Sequence, residues 1–461
     1  MWPSLVYPKS LLPRSSFKTD VSPQDVEDDT LPQFTFYAMS SEPLKILISG
    51  AGIAGSSLAL MLVRQPSFIT RPIVTLIERS PVPRLTGQAI DIRGTGVKVI
   101  RKLGLEEKIK ARHTTETGIA FVNNKGAKIG QFDASGDPEK QSATSEFEIL
   151  RGELAELILD DLNTSEGREN VNIVYDERIE SMVEQEDGVA VTFSGGKLEA
   201  QKFDVVVSAD GMSSTTRPMM FPETGTQDCI KPLGWYMAYF TVPRMEHDDN
   251  LWLWHNEPGG LAVHVRPHRS KKTMGVYLSM CKWKHERDPE IDEVISKGVD
   301  AQKRYLHEQF AGAAWETERF LSAMDISDDF YMQQVARVDT AKWTRSRCAL
   351  LGDSAHCTMG VGTSYAITGA YVLAGELAQM RSNGPEEIAA ALRRYEEVHR
   401  SLVGEPKMPP GFPQLANPQT GLAVAVLQSI IKLVYWTQLH KLIPNAVQEN
   451  AEKWNMPDYG W

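Results

Sequence analysis

The sequence predicts an α/β protein in which a helix-backed parallel sheet is joined to an antiparallel β-sheet region and a C-terminal helical region. Three observations carry this expectation. The apolar runs LKILISG, PIVTLIE, VVVSA and CALLG each stop at a glycine or an acidic residue, as buried parallel strands do where they meet their connections. Between residues 221 and 334, GWYMAYFTVP, NLWLWHNEPGGLAVHVRP and TMGVYLSM are rich in aromatic and β-branched residues and separated by turn signals, the pattern of antiparallel strands. The last 76 residues, 386–461, include the apolar run GLAVAVLQSIIKLVYWTQLHKLI, too long for an ordinary strand. At 461 residues the chain exceeds one ordinary core and has room for a large cofactor.

In chain order, residues 1–43 read as a disordered extension, rich in Pro and Ser and closing on the acidic cluster DVEDD. Lys9, Arg14 and Lys18 among serines give residues 1–20 a resemblance to an organelle transit peptide, and Met39 is the alternative start of the working chain. A net charge of −11, from 49 Lys and Arg against 60 Asp and Glu, disfavours nucleic acid as a partner. The four cysteines, Cys229, Cys281, Cys348 and Cys357, have no C-x-x-C spacing, so neither a metal site nor a disulfide framework is expected. They read as reduced thiols of a cytoplasmic protein.

Gly50-Ala51-Gly52-Ile53-Ala54-Gly55 is a G-x-G-x-x-G run set between a strand and the helical AGIAGSSLALMLVRQ. In that setting the first glycine makes the turn, the second lets a pyrophosphate approach the backbone, and the third lets the helix lie close to the strand. The helix N-terminus supplies N–H donors and partial positive charge. PIVTLIE then ends in Glu78, 23 residues past Gly55 and placed to accept ribose hydroxyls. This unit predicts a dinucleotide, and NAD and FAD suit it equally because they share the ADP half.

The helical EILRGELAELILDDL carries Arg151 on an otherwise apolar pattern, so the charge is expected to be buried with a partner. VNIVYDERIESMVEQEDGVAVTFSGGKLEAQKF reads as a meander of short strands leading to VVVSA, which ends at Asp210-Gly211, a pair that also makes ordinary turns. CALLG ends at Asp353, and GDSAHCTMGVGTSYA leads into the helical SYAITGAYVLAGELAQM. Ligands of open parallel sheets bind beyond the carboxyl ends of the strands, so Gly50, Glu78, Asp210 and Asp353 are expected to converge on one extended cofactor. A capping aspartate in a tight turn accounts equally well for Asp353 taken alone.

In the antiparallel region Trp235, Tyr239, Trp252, Trp254, His264 and Arg266 stand out, although alternation sends half of any strand to the other face. PEIDEVISKGVDAQKRYLHEQF predicts one amphipathic helix. Residues 421–443 are apolar but interrupted by Gln428, Lys432, Gln438 and His440, which predicts a helix packed on the protein body, with peripheral membrane attachment as the alternative.

GAGIAG with Glu78-Arg79, SADGMSSTTR ending in Arg217, and LLGDSAH together resemble, in order and spacing, the three motifs of class A flavoprotein monooxygenases, the para-hydroxybenzoate hydroxylase fold. The resemblance spans about residues 40–461, includes the tail MPDYGW, and is to the tetracycline-inactivating monooxygenases and fungal tailoring hydroxylases of that family. It implies a discontinuous Rossmann-like FAD-binding domain over 44–220 and 335–385, a substrate-binding β-sheet domain over 221–334, whose cavity Trp235, Tyr239, Trp252, Trp254, His264 and Arg266 are candidates to line, and a helical region over 386–461. Gly50, Gly52 and Gly55 would hold the FAD pyrophosphate, Glu78 the ribose with Arg79 beside it, and Asp210 the DG position of the site. Asp91 and Arg151 would be further flavin contacts, and Asp353 would hold the ribityl chain. Gly360 and Gly362 would clear space under the ring. Arg84 would meet the nicotinamide of a transiently bound NADPH. Arg79, Arg84 and Arg93 also read as ordinary surface arginines, and His356 is given no catalytic role.

No Cys or His stands where a bond to the ring is expected, so FAD would be held without a covalent link. CTMGVGTS lacks the proline that usually follows the GD pair and is about three residues short, which bears on the ring pocket rather than on FAD binding. The activity implied is an FAD-dependent monooxygenase using NAD(P)H and O2 to hydroxylate or epoxidise an electron-rich small molecule of secondary metabolism, such as an aromatic polyketide or terpenoid. A flavin-dependent oxidase or dehydrogenase, and a degraded FAD-binding member with a structural or non-redox role, are the alternatives. An NAD-dependent dehydrogenase would leave the DG and GD motifs without a role.

Overall fold

A computed structural model describes residues 42–461 apart from 85, 135–146, 224–228, 285, 404–410 and 442–454. The extension expected over 1–43, with its transit-peptide alternative, lies outside the described residues except for its last two. The first strands are β1 (Lys45–Ser49), β2 (Ile73–Glu78), β3 (Ala89–Asp91), β4 (Gly118–Val122), β5 (Lys128–Asp133), β6 (Glu148–Leu150) and β7 (Val171–Tyr175). Then come β8 (Ile179–Gln185), β9 (Gly188–Phe193), β10 (Gln201–Phe203), β11 (Val205–Ser208), β12 (Ile230–Pro243) and β13 (Trp252–Glu257). The last are β14 (Leu261–Pro267), β15 (Thr273–Cys281), β16 (Tyr331–Asp339), β17 (Thr344–Arg345), β18 (Cys348–Leu350) and β19 (His356–Cys357). The α-helices are α1 (Ile53–Arg64), α2 (Thr95–Lys102), α3 (Glu106–Lys110), α4 (Arg151–Thr164), α5 (Arg217–Met220) and α6 (Pro289–Ser296). They continue with α7 (Val299–Gln309), α8 (Thr317–Ile326), α9 (Gly362–Ala378), α10 (Pro385–Leu402), α11 (Phe412–Ala416) and α12 (Gly421–Thr437).

The four apolar runs are adjacent strands of one six-stranded sheet, β17-β18-β11-β1-β2-β7. β18, β11, β1, β2 and β7 are mutually parallel, with Ile48 beside Val207 on one side and Leu76 on the other. Helix α1 is buried from Ile53 to Val63 because it packs on this sheet and against α4 and α9, so no polar stripe is needed on it. β7 departs from the expected meander: Val171 pairs in parallel with Val74, making β7 an edge strand of the parallel sheet, and only β8, β9 and β10 form the meander.

The second sheet has eight strands, β19-β16-β12-β15-β14-β13-β4-β5. β4 and β5 come from inside the stretch 44–220 and enter the sheet through the parallel pairing of Trp252 with Ile119. The single helix expected from PEIDEVISKGVDAQKRYLHEQF is two, because Gly298 adopts φ +90° between Ser296 and Val299. Asp288 caps the first, accepting hydrogen bonds from the N–H groups of Glu290 and Ile291. These helices and α8 cover one face of the sheet, where Phe240, Val265, Val276 and Leu278 meet Leu306, Phe320 and Met324. The tail MPDYGW docks on α9: Tyr459 lies where a side chain on Gly375 would stand, and its hydroxyl donates to Glu376 (2.7 Å).

Among the described residues no helix is long and apolar enough to cross a membrane. Among the described residues helix α12 packs on the body as expected, through the face turned to β5. Of the span 421–443, residues 442 and 443 lie outside the described residues.

Candidate active site

The parallel order β18-β11-β1-β2 sets Asp353, Asp210, Gly50 and Glu78 just beyond the carboxyl ends of four neighbouring strands, where a ligand of an open α/β sheet binds. The close packing of these ends explains the glycines. Gly50 has φ +107°, and a β-carbon there would lie 2.5 Å from the Ala209 carbonyl oxygen, at the end of the neighbouring strand. At Gly55 it would lie 2.0 Å from the Gly50 carbonyl oxygen, so only glycine lets α1 start this close to β1. Gly52 has nothing within 4 Å of a β-carbon position, which leaves open space directly above the first turn of α1. That turn carries no acidic side chain to occupy its N–H donors.

Glu78 braces this loop from the adjacent strand. Its Oε2 accepts from the Ala51 N–H (3.0 Å) and its Oε1 from the Ser80 N–H (2.9 Å). Arg79 and Arg84 are both exposed. Asp210 accepts from the Ser208 hydroxyl (2.6 Å) and from the Thr215 and Thr216 N–H groups (3.0 and 3.1 Å). Arg217, a motif residue to which the sequence assigned no task, is buried and joins the two carboxyl-end motifs. It donates to the Met212 carbonyl of one (3.0 Å) and the Ser354 carbonyl of the other (3.0 Å).

Asp353 lies in a single 3-10 turn, Gly352–Ser354, and no side chain caps the following helix, which opens at Val361. The plain capping role therefore does not describe it. Burial pushes its carboxyl above the ordinary aspartate range, with the Arg151 guanidinium and the Cys357 side chain opposing. Gly362 places a hypothetical β-carbon 3.3 Å from Asp353 Oδ1, and Gly360, at φ +86°, faces open space. Arg151 corrects the expectation of a buried charge: it is exposed at the first position of α4. Its backbone N–H is held by the Gln88 carbonyl (3.0 Å), and Gly87 lets the chain pass its side-chain stem. Asp91 sits on β3 in an ion pair with Arg93 (3.2 Å), and the Arg93 N–H donates to Ser364 Oγ (2.8 Å) in the first turn of α9. His356 packs beside Trp343 and Tyr365, consistent with a structural role.

The antiparallel sheet turns its other face toward Gln88 and Ala89. All six candidates, Trp235, Tyr239, Trp252, Trp254, His264 and Arg266, lie on the face opposite α6, α7 and α8, because register and alternation agree across the strands. Six directly paired residues form one row across it: Tyr331, Tyr239, Tyr277, His264, Trp254 and Phe121. Tyr239 stacks on Tyr331 (ring centroids 4.8 Å) and Phe121 on Trp254 (5.4 Å). The Tyr277 hydroxyl accepts from the Ala89 N–H (2.9 Å), and the Tyr331 hydroxyl donates to Gln88 Oε1, so the row is fastened to the start of β3.

Beside the row, Arg266 is buried against Glu116 (2.7 and 2.9 Å) and Glu148 (2.7 Å), with the Trp252 ring 4.4 Å from its guanidinium. That buried charge is matched by two carboxylates and is structural. His264 Nδ1 accepts from the Trp252 indole N–H (3.3 Å), and burial lowers its pKa to about 3, so the ring is neutral with its proton on Nε2. His264 Nε2 and Trp254 Nε1 are buried donors without a hydrogen-bond partner among the described residues.

These residues fit FAD: an open glycine loop on a helix N-terminus, an acid at the neighbouring strand end, and a desolvated carboxylate further along. The FAD binding domain model matches residues 43–403. The chain belongs to the FAD-dependent monooxygenase family. It is 30% identical over 434 residues to the FAD-dependent monooxygenase asL6 of Sarocladium schorii, covering 90% of this chain and 98% of that one. It is 33% identical over 442 residues to the flavin-dependent monooxygenase eupH of a Phoma species, with the same coverages. The tetracycline destructase Tet(51) structure aligns with a TM-score of 0.67 and 26% identity over 90% of this chain and 99% of its own. As a member of this family the chain is an oxidoreductase that binds FAD and uses NAD(P)H and O2.

The Glu78 arrangement carries a direct test. Glu78→Ala removes the brace on Ala51 and the carboxylate expected to accept ribose hydroxyls, so FAD affinity is expected to fall by about ten- to a hundredfold, given about 1.5 to 3 kcal/mol per charged hydrogen bond. Flavin titration into the stripped variant measures it, and unchanged affinity would mean that the acid only ends a strand.

Proposed function

We propose that this enzyme inserts one oxygen atom, by hydroxylation or epoxidation, into a planar, electron-rich small molecule such as a phenol, enol or alkene of secondary metabolism. The observation that carries the reading is the six-residue row, mostly aromatic, across the sheet face opposite α6, α7 and α8, fastened at Gln88 and Ala89. A flat apolar molecule gains both area burial and ring contacts there. The buried, unpartnered donors of His264 and Trp254 favour a substrate that presents an oxygen acceptor, since such donors are costly when left unmet. Aromatic polyketides and terpenoid enols meet both requirements.

In this reading Gly50, Gly52 and Gly55 hold the FAD pyrophosphate, Glu78 and Arg79 the adenosine end, and Asp353 the ribityl chain. Asp91, Arg151, Asp210, Gly360 and Gly362 shape the remaining flavin site. The first turn of α9 directs its dipole toward the ring and favours negative charge there. Arg84, exposed on the loop after β2, would meet the nicotinamide of a transient NADPH. Bound FAD, held without a covalent link, supplies the transfer of one atom of O2 once NAD(P)H has reduced it. The protein's share is to orient the substrate and exclude water. The cofactor part comprises 44–220 and 335–385, with β4 and β5 lent to the sheet of 221–334, and 386–461 closes the body.

Incubating the holoenzyme with NADPH, labelled O2 and a panel of aromatic polyketides and terpenoids tests this. The expected product carries one labelled oxygen. An oxidised product without label would replace the reading with a flavin oxidase or dehydrogenase.

A further inference from the structure

Helix α12 is apolar on two sides but, among the described residues, partnered on one. Ile431 reaches over Gly130 on β5, and Tyr435 meets Phe132 edge-on (6.2 Å), while Val424 alone is fully buried. On the outer side Leu422, Val426, Ile430, Leu433 and Trp436 recur at three- and four-residue intervals, so they form one stripe. Leu422 is 78% exposed and Trp436 79%, and each of the other three is at least half exposed. Leu415, in the preceding helix, is exposed as well. A contiguous apolar stripe of this kind on a protein surface marks a contact site.

Charge identifies the occupant. The chain carries 60 acidic residues, yet residues 411–441 contain no Asp or Glu, while Lys432 and Lys441 are exposed at the flank and end of the stripe. A second copy of the chain docking stripe to stripe would bring Lys432 toward its own equivalent with no acidic side chain on either helix to meet it. An anionic lipid surface accepts the same features in place: the apolar stripe and Trp436 enter the interface, and the lysines reach the headgroups. We propose that α12 docks the enzyme peripherally on an anionic membrane surface, its inner face remaining on β5. The proposal does not depend on the identity of the substrate.

The full-length holoenzyme is sedimented with sucrose-loaded vesicles of phosphatidylcholine alone, or with about one third phosphatidylserine, in low and high salt. Binding is expected to be several times greater with phosphatidylserine and to weaken with salt. Ile430→Glu with Leu433→Glu should lower the bound fraction at least fivefold while flavin content and melting temperature stay unchanged. Lys432→Glu should lower binding to the anionic vesicles and leave the weak binding to phosphatidylcholine as it is. Wild-type protein that stays in the supernatant with both compositions overturns the proposal, as does a double variant that binds as well as wild type. A concentration-dependent dimer that the double variant abolishes, without lipid binding, would assign the stripe to a second copy instead.

Discussion

Asp353→Ala is expected to yield a folded protein that has lost FAD, with affinity down by about a hundredfold or more, since a desolvated charged acceptor contributes about 1.5 to 3 kcal/mol per hydrogen bond and a ribityl chain offers more than one donor. The substitution is expected to act on cofactor binding and to spare the fold. Asp353 caps no helix, so its loss removes no capping energy. Burial raises its carboxyl pKa, with Arg151 and the Cys357 side chain opposing, so without cofactor ionising it costs more than in the unfolded chain. The stability linked to the neutral acid is complete below the unfolded pKa and is lost as pH rises through the raised folded value. Asp353→Asn should therefore melt at or above the wild-type temperature when flavin-free near neutral pH, and this advantage should vanish in acid. Hydroxyl donors on the cofactor favour the carboxylate, so wild-type FAD affinity should rise with pH across the same range, and the Asn variant should lose that dependence. Flavin titrations and apo melts at several pH values measure both. Normal FAD affinity in the alanine variant would remove Asp353 from the flavin site.

How legible the site was depended on whether its parts are local in the chain. Gly50, Glu78, Asp210 and Asp353 could be placed because each closes a short apolar strand, and parallel strands present their carboxyl ends on one edge of the sheet. The flanking roles were not legible. Arg151 sits in a helical pattern that suggests burial, but β6 takes Glu148–Leu150, so the arginine becomes the first residue of α4, exposed yet with its charge felt at Asp353. Arg217 ties together two motifs 137 residues apart, a contact with no local signature. The membership of β4 and β5 in the antiparallel sheet rests on pairing Ile119 with Trp252, and such non-local register is set by global packing, not propensity. The common face of Trp235, Tyr239, Trp252, Trp254, His264 and Arg266 was half visible. Trp252 and Trp254 share a face by alternation, as do His264 and Arg266. The phase between strands had to come from the observed register.

Gly52→Ala and Gly55→Ala, three residues apart in one loop, are expected to fail in opposite ways. At Gly55 the new methyl would stand 2.0 Å from the Gly50 carbonyl oxygen and 3.1 Å from Ile48 Cγ2, and backbone cannot yield as a flexible side chain does. Helix α1 must withdraw from β1, which disturbs a buried surface running from Ile53 to Val63, and such overpacking costs about 1 to 3 kcal/mol and more when backbone is the obstacle. The apo protein should melt lower, or accumulate as insoluble chain, and bind little FAD. At Gly52 the methyl meets nothing within 4 Å, and φ −75° is open to alanine, so the apo melt should change only by the loss of a favourable N-cap, less than about 1 kcal/mol. The open space above Gly52 is where phosphate oxygens would approach the N–H groups of α1, so the same methyl should weaken FAD sharply. The decisive result is the pairing: a normal apo melt with poor flavin affinity for Gly52→Ala, beside a poor apo melt for Gly55→Ala. If Gly52→Ala binds FAD as wild type does, the phosphates lie elsewhere and the loop's glycines serve only the packing of helix on strand.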